Sequence, residues 1–182
     1  MASFYEHITD KLRSFIEEQK IFFVATAPVE GRINLSPKGM DSVRVVDAKT
    51  IYWLNLTGSG NESAAHVIEN QRMTLMFCSF EGKPLILRIY GTATVIGKND
   101  ARWPEVSSKF PDMPGSRQVF ILNVESVQTS CGFAVPLYEY QGNRDTLIKW
   151  AETKGDEGLT EYWEEKNSKT IDGKEIPFHG LV

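Results

Sequence analysis

Four short runs of β-branched and aromatic residues follow one another between residues 21 and 55, separated by only a few turn-forming residues each. The runs are IFFVATA (21–27), INLSP (33–37), SVRVV (42–46) and TIYWLN (50–55), and the separators are PVEGR, KGMD and DAK. Connections this short suit antiparallel strands, because a parallel pair needs a crossover of roughly a dozen residues or more. The sequence therefore predicts an antiparallel β-sheet.

The β pattern continues further along the chain. It resumes in RMTLMFCSF and LILRIYGTATVI, with FEGKP between them as a predicted hairpin turn, and again in VFILNVESVQTSC. We expect about seven or eight strands, which is enough to close a barrel whose interior is filled by side chains. The predicted fold class is mainly β with flanking helices.

Helices are predicted before, between and after these strands. Apolar residues at helical spacing predict an amphipathic N-terminal helix, namely Phe4, Ile8, Leu12, Phe15 and Ile16. A second helix is predicted over residues 61–70, and RDTLIKWAETKG and GLTEYWEEKNS predict two more near the C-terminus. We expect a single domain over residues 1–182, with a barrel core and its N-terminal helix over 1–130 and a helical extension over 131–182.

Composition and charge exclude several classes of partner. The 182 residues are 41% hydrophobic and 24% charged, as in ordinary globular domains, and the net charge of -4 predicts no binding of nucleic acid or of an anionic membrane. No stretch resembles a secretion signal or a transmembrane segment, so the expected location is the cytoplasm.

Common catalytic and metal motifs are missing. Cys78 and Cys131 are far apart, and His7, His66 and His179 are too scattered to indicate a metal site, so none is predicted. No serine lies in a G-x-S-x-G elbow, and the glycines of GSGNES are not followed by the Lys-Ser/Thr of a P-loop. A conventional hydrolase or nucleotide triphosphatase is therefore disfavoured, and no catalytic residue is assigned.

Polar side chains interrupt two of the predicted strands. In NLSPKG, the period of two places Asn34, Ser36 and Lys38 on one side. In LILRIYG, Arg88 lies on the side opposite Leu87, and a buried arginine needs a partner. Lys38 could instead be a solvated turn residue, and Arg88 could pair with a core carboxylate or with a second subunit.

The segment LTGSGNESAAHV (56–67) joins a predicted strand to a predicted helix and has two interpretations. Its small polar residues could simply cap the helix. However, Thr57, Ser59, Asn61 and Ser63 offer more hydroxyl and amide groups than one cap consumes, and backbone N–H groups at a helix start suit a phosphate.

Three segments together resemble the pyridoxamine 5'-phosphate oxidase-related family of FMN-binding split barrels. They are FFVATAPVEGRINLSPKG, TIYWLNLTGSGNESAAHVIENQRMTLMF and LILRIYGTATVI, and the resemblance covers roughly residues 5 to 130. It implies a six-stranded antiparallel split β-barrel with flanking helices. It also implies a homodimer with two equivalent flavin sites at the subunit interface.

The resemblance further implies which residues hold FMN. They lie on the strand NLSPKG, at the end of YWLN with the following loop, and on LILRIYG, and they are Asn34, Ser36, Lys38, Trp53, Asn55, Thr57, Ser59, Asn61, Ser63 and Arg88. A cation near the flavin N1 and O2 stabilises negative charge when hydride arrives at N5, and Lys38 or Arg88 could supply it. We therefore expect Ser36, Lys38, Asn61 and Arg88 to converge on one crevice.

The function that the resemblance implies is that of an FMN-dependent oxidoreductase with an unknown small-molecule substrate and NAD(P)H as a candidate electron donor. Glu62 stands where the oxidase carries a cation. Either Arg72, Lys38, Arg88 or a residue of the partner subunit compensates, or the site binds FMN weakly, or the ligand is a deazaflavin or haem. The oxidase's C-terminal arginine and tryptophan motif is not found in SKTIDGKEIPFHGLV, which disfavours pyridoxamine phosphate as substrate. The alternatives are a non-catalytic dimer that sequesters flavin or haem, and a ligand-free stress or assembly protein.

Overall fold

The computed structural model describes residues 2–177, so His179 and the end of the C-terminal tail lie outside the described residues. The strands are β1 Ser3–Tyr5, β2 Phe22–Thr26, β3 Asn34–Lys38, β4 Val43–Asp47, β5 Thr50–Leu56, β6 Arg72–Cys78, β7 Ile86–Gly97 and β8 Ser116–Ser130. The helices are α1 Asp10–Glu18, α2 Glu62–Asn70, α3 Trp103–Ser107 and α4 Thr146–Lys166.

All eight strands belong to one antiparallel sheet. Its order is β3-β2-β6-β7-β8-β5-β4, and β1 pairs with β8 at one side. The predicted antiparallel architecture with flanking helices is confirmed. The described residues form eight strands, which agrees with the seven or eight expected from the β pattern and exceeds the six that the resemblance implies.

Alternation along the central strands produces the main core. Val24 of β2, Leu75 of β6 and Ile89 of β7 are completely buried, and the strand register places them side by side. Successive residues of a strand point to opposite faces, so the intervening positions form the outer face of the sheet. The inner face is therefore the apolar one, as the sequence pattern predicts.

The N-terminal helix is shorter than predicted. It begins after Thr9, whose hydroxyl accepts a hydrogen bond from the Leu12 N–H, and it buries Leu12 and Ile16 against the sheet. The sequence pattern places Phe4 on this helix, but Phe4 lies in β1 and is 68% exposed. The prediction is wrong at this end because residues 3–5 pair with β8 and the cap at Thr9 separates them from the helix.

The C-terminal extension returns to the barrel after a kink. The two helices predicted there form the single element α4, which is interrupted at Gly155, where φ is 64°. A side chain is strained at this φ, whereas glycine adopts it freely. The kink lets Ala151, Leu159 and Trp163 pack together as a small apolar cluster. Between residues 2 and 177, no helix is both long and apolar enough to cross a membrane.

Candidate functional site

The polar side chains of β3 face the inside of the barrel. Ser36 lies opposite Val24 and Lys38 lies opposite Phe22 in the pairing of β3 with β2, so both share the face of the core residues. Leu35 and its neighbour Pro37 point outwards and are exposed. The shared face predicted for Asn34, Ser36 and Lys38 is therefore observed.

Lys38 lies over an aromatic pair inside the barrel. Its Nζ is 5.3 Å from the centroid of the Trp53 ring, which stacks on Phe120 with a centroid separation of 4.6 Å. Burial, together with the positive charge of Arg117, lowers the pKa of Lys38 to about 8. Within the described chain no carboxylate forms an ion pair with Lys38.

Arg117 is a second buried cation, at the start of β8, and it is not among the site residues predicted from the sequence. It is 2% exposed, and burial lowers the pKa of its guanidinium. Nη1 donates to Oδ1 of Asn167, and Nη2 donates to the carbonyl of Gly60 at 3.3 Å. Both acceptors are neutral, and no carboxylate of residues 2–177 pairs with Arg117. In the sequence, Arg117 stands immediately before the run QVFIL, and a cation next to an apolar strand is the pattern that could have indicated it.

Several buried polar atoms around these two cations have no hydrogen-bond partner in the described part of the chain. They are Ser36 Oγ, Trp53 Nε1, Asn61 Oδ1, Arg117 Nε and Gln118 Nε2. Nearly all buried polar atoms in proteins are hydrogen-bonded, so a group of unpartnered ones indicates a missing partner. We call Ser36, Lys38, Trp53, Asn61, Arg117 and Gln118 the buried donor cluster, because most of its free atoms are N–H or O–H donors.

Lys38 and Trp53 of this cluster are in direct contact, and neighbouring residues link them to Gln118. Lys38 contacts Trp53, and Gln118 occupies the next inward position beyond the ring that stacks on Trp53. Asn55, which lies directly opposite Gln118, donates from Nδ2 to Gln118 Oε1 at 3.2 Å. Arg117 contacts Gly60, the residue before Asn61. These contacts link Lys38, Trp53 and Gln118 on the inner face of the sheet, and they join Arg117 to the loop before α2.

Asn34 and Ser63 form a separate network that is satisfied within the protein. Nδ2 of Asn34 donates to Ser63 Oγ at 3.1 Å, and Ser63 Oγ lies 3.2 Å from Thr26 Oγ1. Thr26 Oγ1 is also 3.0 Å from Nδ1 of His66, and desolvation by burial lowers the pKa of this histidine. The network joins β2, β3 and the first turn of α2, so it holds the helix start in place.

The loop over residues 57–61 is held by the C-terminal extension. The Thr57 hydroxyl donates to the carbonyl of Gly115 at 2.8 Å and accepts from Trp163 Nε1 at 2.9 Å, so it has no capacity left for an anion. Ser59 is exposed. Oε1 of Glu62 accepts from the Ile171 N–H at 3.0 Å. The predicted cradle of loop hydroxyl groups is therefore largely used up by protein contacts.

Arg88 lies on the other face of the sheet. The register places it opposite Met76 of β6, which in turn lies opposite Phe23 of β2, and these residues point away from the core. Its Nη1 donates to Ser130 Oγ at 3.3 Å. Ser36 and Lys38 thus share the inner face of the sheet, whereas Arg88 lies on the outer face. The expected convergence of all four is not met within one chain, because the interior accepts Leu87 and Ile89 from β7.

A large cleft lies beside the buried donor cluster. It has a volume of about 1680 Å³ and is bounded by α1, by Phe23, by the turn over residues 79–85 and by the segment over residues 138–150. Lys38 lines this cleft and also contacts Trp53 in the interior. Lys38 therefore connects this open, mainly apolar cleft with the interior around Trp53.

Comparison with known proteins agrees with this fold. The family model for pyridoxamine 5'-phosphate oxidase matches residues 8–131. The chain belongs to the pyridoxamine 5'-phosphate oxidase family. The resemblance found in the strand segments is therefore confirmed. The chain is also similar to the pyridoxamine 5'-phosphate oxidase family protein ustO of Aspergillus flavus, with 39% identity over 191 aligned positions. This alignment covers 95% of this chain and 77% of ustO.

Two solved structures share this fold. HupZ of Group A Streptococcus superposes with a TM-score of 0.55 at 26% identity, covering 66% of this chain and 91% of HupZ. A Lactobacillus delbrueckii structure named after the same oxidase has a TM-score of 0.53 at 20% identity and covers 68% of this chain and 94% of its own. Lys38 and Arg117 lie within the family match, whereas Trp163 and Asn167 lie beyond it.

Proposed function

We propose that this protein binds FMN and uses it in a redox reaction on a small molecule. The observation that carries the proposal is a pair of neighbouring cations, the half-buried Lys38 and the fully buried Arg117, without a carboxylate partner among residues 2–177. Burying two like charges is costly unless something of opposite sign compensates them. Cations whose pKa is lowered by burial are typical of functional sites. An anionic ligand would compensate the two positive charges.

FMN matches the chemistry of this part of the barrel. Its phosphate and the N1–O2 side of its ring are anionic or electron-rich, and the free donors of Trp53, Arg117 and Gln118 suit such groups. The adjoining cleft exceeds the usual volume of a small-molecule site, which is roughly 300–1,000 Å³, so it has room for a flat ring system.

The residues of the chain would hold and tune the cofactor. When bound, FMN supplies the transfer of hydride or single electrons, which no protein side chain here can perform. Lys38 and Arg117 hold positive charge at fixed positions, which favours the electron-rich reduced form. The apolar residues that line the cleft would pack against the flavin ring.

The outer face of the sheet supports a second part of the proposal, a homodimer. Leu35 is 64% exposed there, and Phe23 and Met76 on the same face are only partly buried. Arg88 lies among these apolar residues without a carboxylate in the described chain. We infer that a second copy covers this face and that Arg88 serves the partner's cofactor site, as the family resemblance implies.

Absorption spectroscopy of the purified protein tests the cofactor. We expect the visible bands of an oxidised flavin, bleaching on addition of NAD(P)H, and recovery in air if the protein is an enzyme. A flavin that is bound but never reduced would indicate the non-catalytic alternative, and a Soret band would indicate haem. Failure of the colourless protein to take up FMN on titration would contradict the proposal.

Replacing Arg88 with alanine tests the two-chain site. We expect about a tenfold loss of FMN affinity with the dimer intact, because one charge-assisted contact to the cofactor disappears. FMN titration and size-exclusion chromatography measure the two properties. Arg102→Ala is the matched control, since Arg102 is exposed and pairs only with Asp100 at the surface of the described chain. Unchanged FMN affinity in Arg88→Ala would assign Arg88 a structural role.

A further inference from the structure

The C-terminal extension places one fully buried amide between Arg117 and the loop before α2. Oδ1 of Asn167 accepts a hydrogen bond from Nη1 of Arg117, and its Nδ2 donates to the carbonyl of Gly58 at 3.2 Å. Asn167 is 0% exposed, and its backbone N–H donates to the carbonyl of Trp163 at 2.9 Å. A single side chain therefore fixes both a guanidinium and the loop.

The partner that Asn167 provides for Arg117 is an uncharged amide, unlike the aspartates that pair with three other arginines in the chain. Arg32, Arg44 and Arg102 each form an ion pair with an aspartate, and all three are more exposed than Arg117. Arg117 is deeply buried and yet receives a neutral acceptor in place of a carboxylate. A neutral acceptor satisfies the directionality of a guanidinium N–H without cancelling its charge. Asn167 thus leaves the positive charge of Arg117 available.

We propose that Asn167 is a positioning residue that orients Arg117 and keeps it uncompensated for an anionic group of the ligand. The inference rests on the proposed function, since the phosphate or the anionic ring edge of FMN is the group that Arg117 would meet. The unpartnered Nε of Arg117 and Nε2 of Gln118 are the donors left for that group. The family match ends at residue 131, so the extension adds this contact to the family barrel.

Replacing Asn167 with aspartate separates this role from a merely structural one. The two side chains have the same shape, so the variant keeps an acceptor for Arg117 but gives it an opposite charge. We expect about a tenfold weaker binding of FMN, and a loss of the thermal stabilisation that inorganic phosphate gives the wild-type protein. The melting temperature without ligand should stay close to that of the wild type, because a new ion pair offsets the lost bond to Gly58.

Two further variants complete the experiment. Asn123→Asp makes the same charge change at an exposed position of β8 and should bind FMN as the wild type does. Asn167→Ala removes the acceptor without adding charge, so it should weaken FMN binding less than Asn167→Asp while lowering the melting temperature more. This opposite ranking of affinity and stability is the signature of an electrostatic role.

The outcomes distinguish the inference from the proposed function. If the wild type binds FMN and Asn167→Asp binds it equally well, the positioning role is wrong while the proposed function stands. If the wild type binds inorganic phosphate but not FMN, and Asn167→Asp loses the phosphate, the role of Asn167 stands and the FMN proposal is wrong. Binding of neither probe by the wild type overturns both.

Discussion

Replacing Arg117 with methionine is expected to weaken FMN binding about 100-fold while the barrel remains folded. Such a loss corresponds to about 2.7 kcal/mol, which is within reach of one or two charge-assisted hydrogen bonds. Methionine is flexible and apolar and can fill most of the vacated volume. The variant also loses the repulsion between Arg117 and Lys38, which partly offsets the loss of the hydrogen bonds to Asn167 and Gly60.

Fluorescence titration with FMN and thermal unfolding followed by circular dichroism measure these two effects. Arg102→Met is the control, because it removes a guanidinium that is paired with Asp100 at the protein surface. Normal FMN affinity in a folded Arg117→Met protein would show that the buried cation does not serve the ligand. The function would then have to be sought on the outer face, near Arg88.

The affinity for FMN is expected to fall as the pH rises through 8, by about 30-fold between pH 7 and pH 9.5. Lys38 has a pKa of about 8 because it is buried and lies near Arg117, and an anion is attracted only to its protonated form. Above this pKa, the FMN affinity falls about tenfold for each pH unit, until the pH reaches the pKa of Lys38 in the complex. Titrations at several pH values measure the slope.

The stability of the ligand-free protein should change in the opposite direction. The pKa of Lys38 is 10.5, the ordinary value of a lysine, in the unfolded chain and about 8 in the folded protein, so the unfolded chain holds more protons between these values. The free energy of unfolding therefore increases as the pH rises from 8 towards 10.5, and the destabilisation is fully present below pH 8. Lys38→Met should remove both pH dependences, and a persisting slope in that variant would assign them to another group.

The sequence predicted the strands well because β-branched and aromatic runs between turn-forming residues are a local signal. The runs containing Val24, Trp53 and Ile89 are of this kind, and each lies in a strand with these side chains in the core. The pattern also places Asn34, Ser36 and Lys38 on one face. It could not state that Arg88 would lie across the sheet from Lys38, since alternation relates residues within one strand and not between distant ones.

The least predictable part of the site depends on contacts across long stretches of chain. Arg117 meets Asn167 fifty positions later, and Trp163 reaches Thr57 over an even longer separation. Neither contact leaves a local signal, because a helix pattern shows which side is apolar but not what it packs against. Arg117 itself could have been noticed as a charge adjoining an apolar strand, by the reasoning applied to Arg88.

The family match ends at residue 131, but residues beyond it make buried contacts with the matched region. A fragment cut at residue 131, where the family match ends, would leave the Thr57 hydroxyl, the Gly58 carbonyl and the Arg117 guanidinium without the partners that Trp163 and Asn167 supply. Transplanting the shared barrel into a chimera would therefore also require its tail. In this chain the last turn of α4 is as much a part of the interior as any strand.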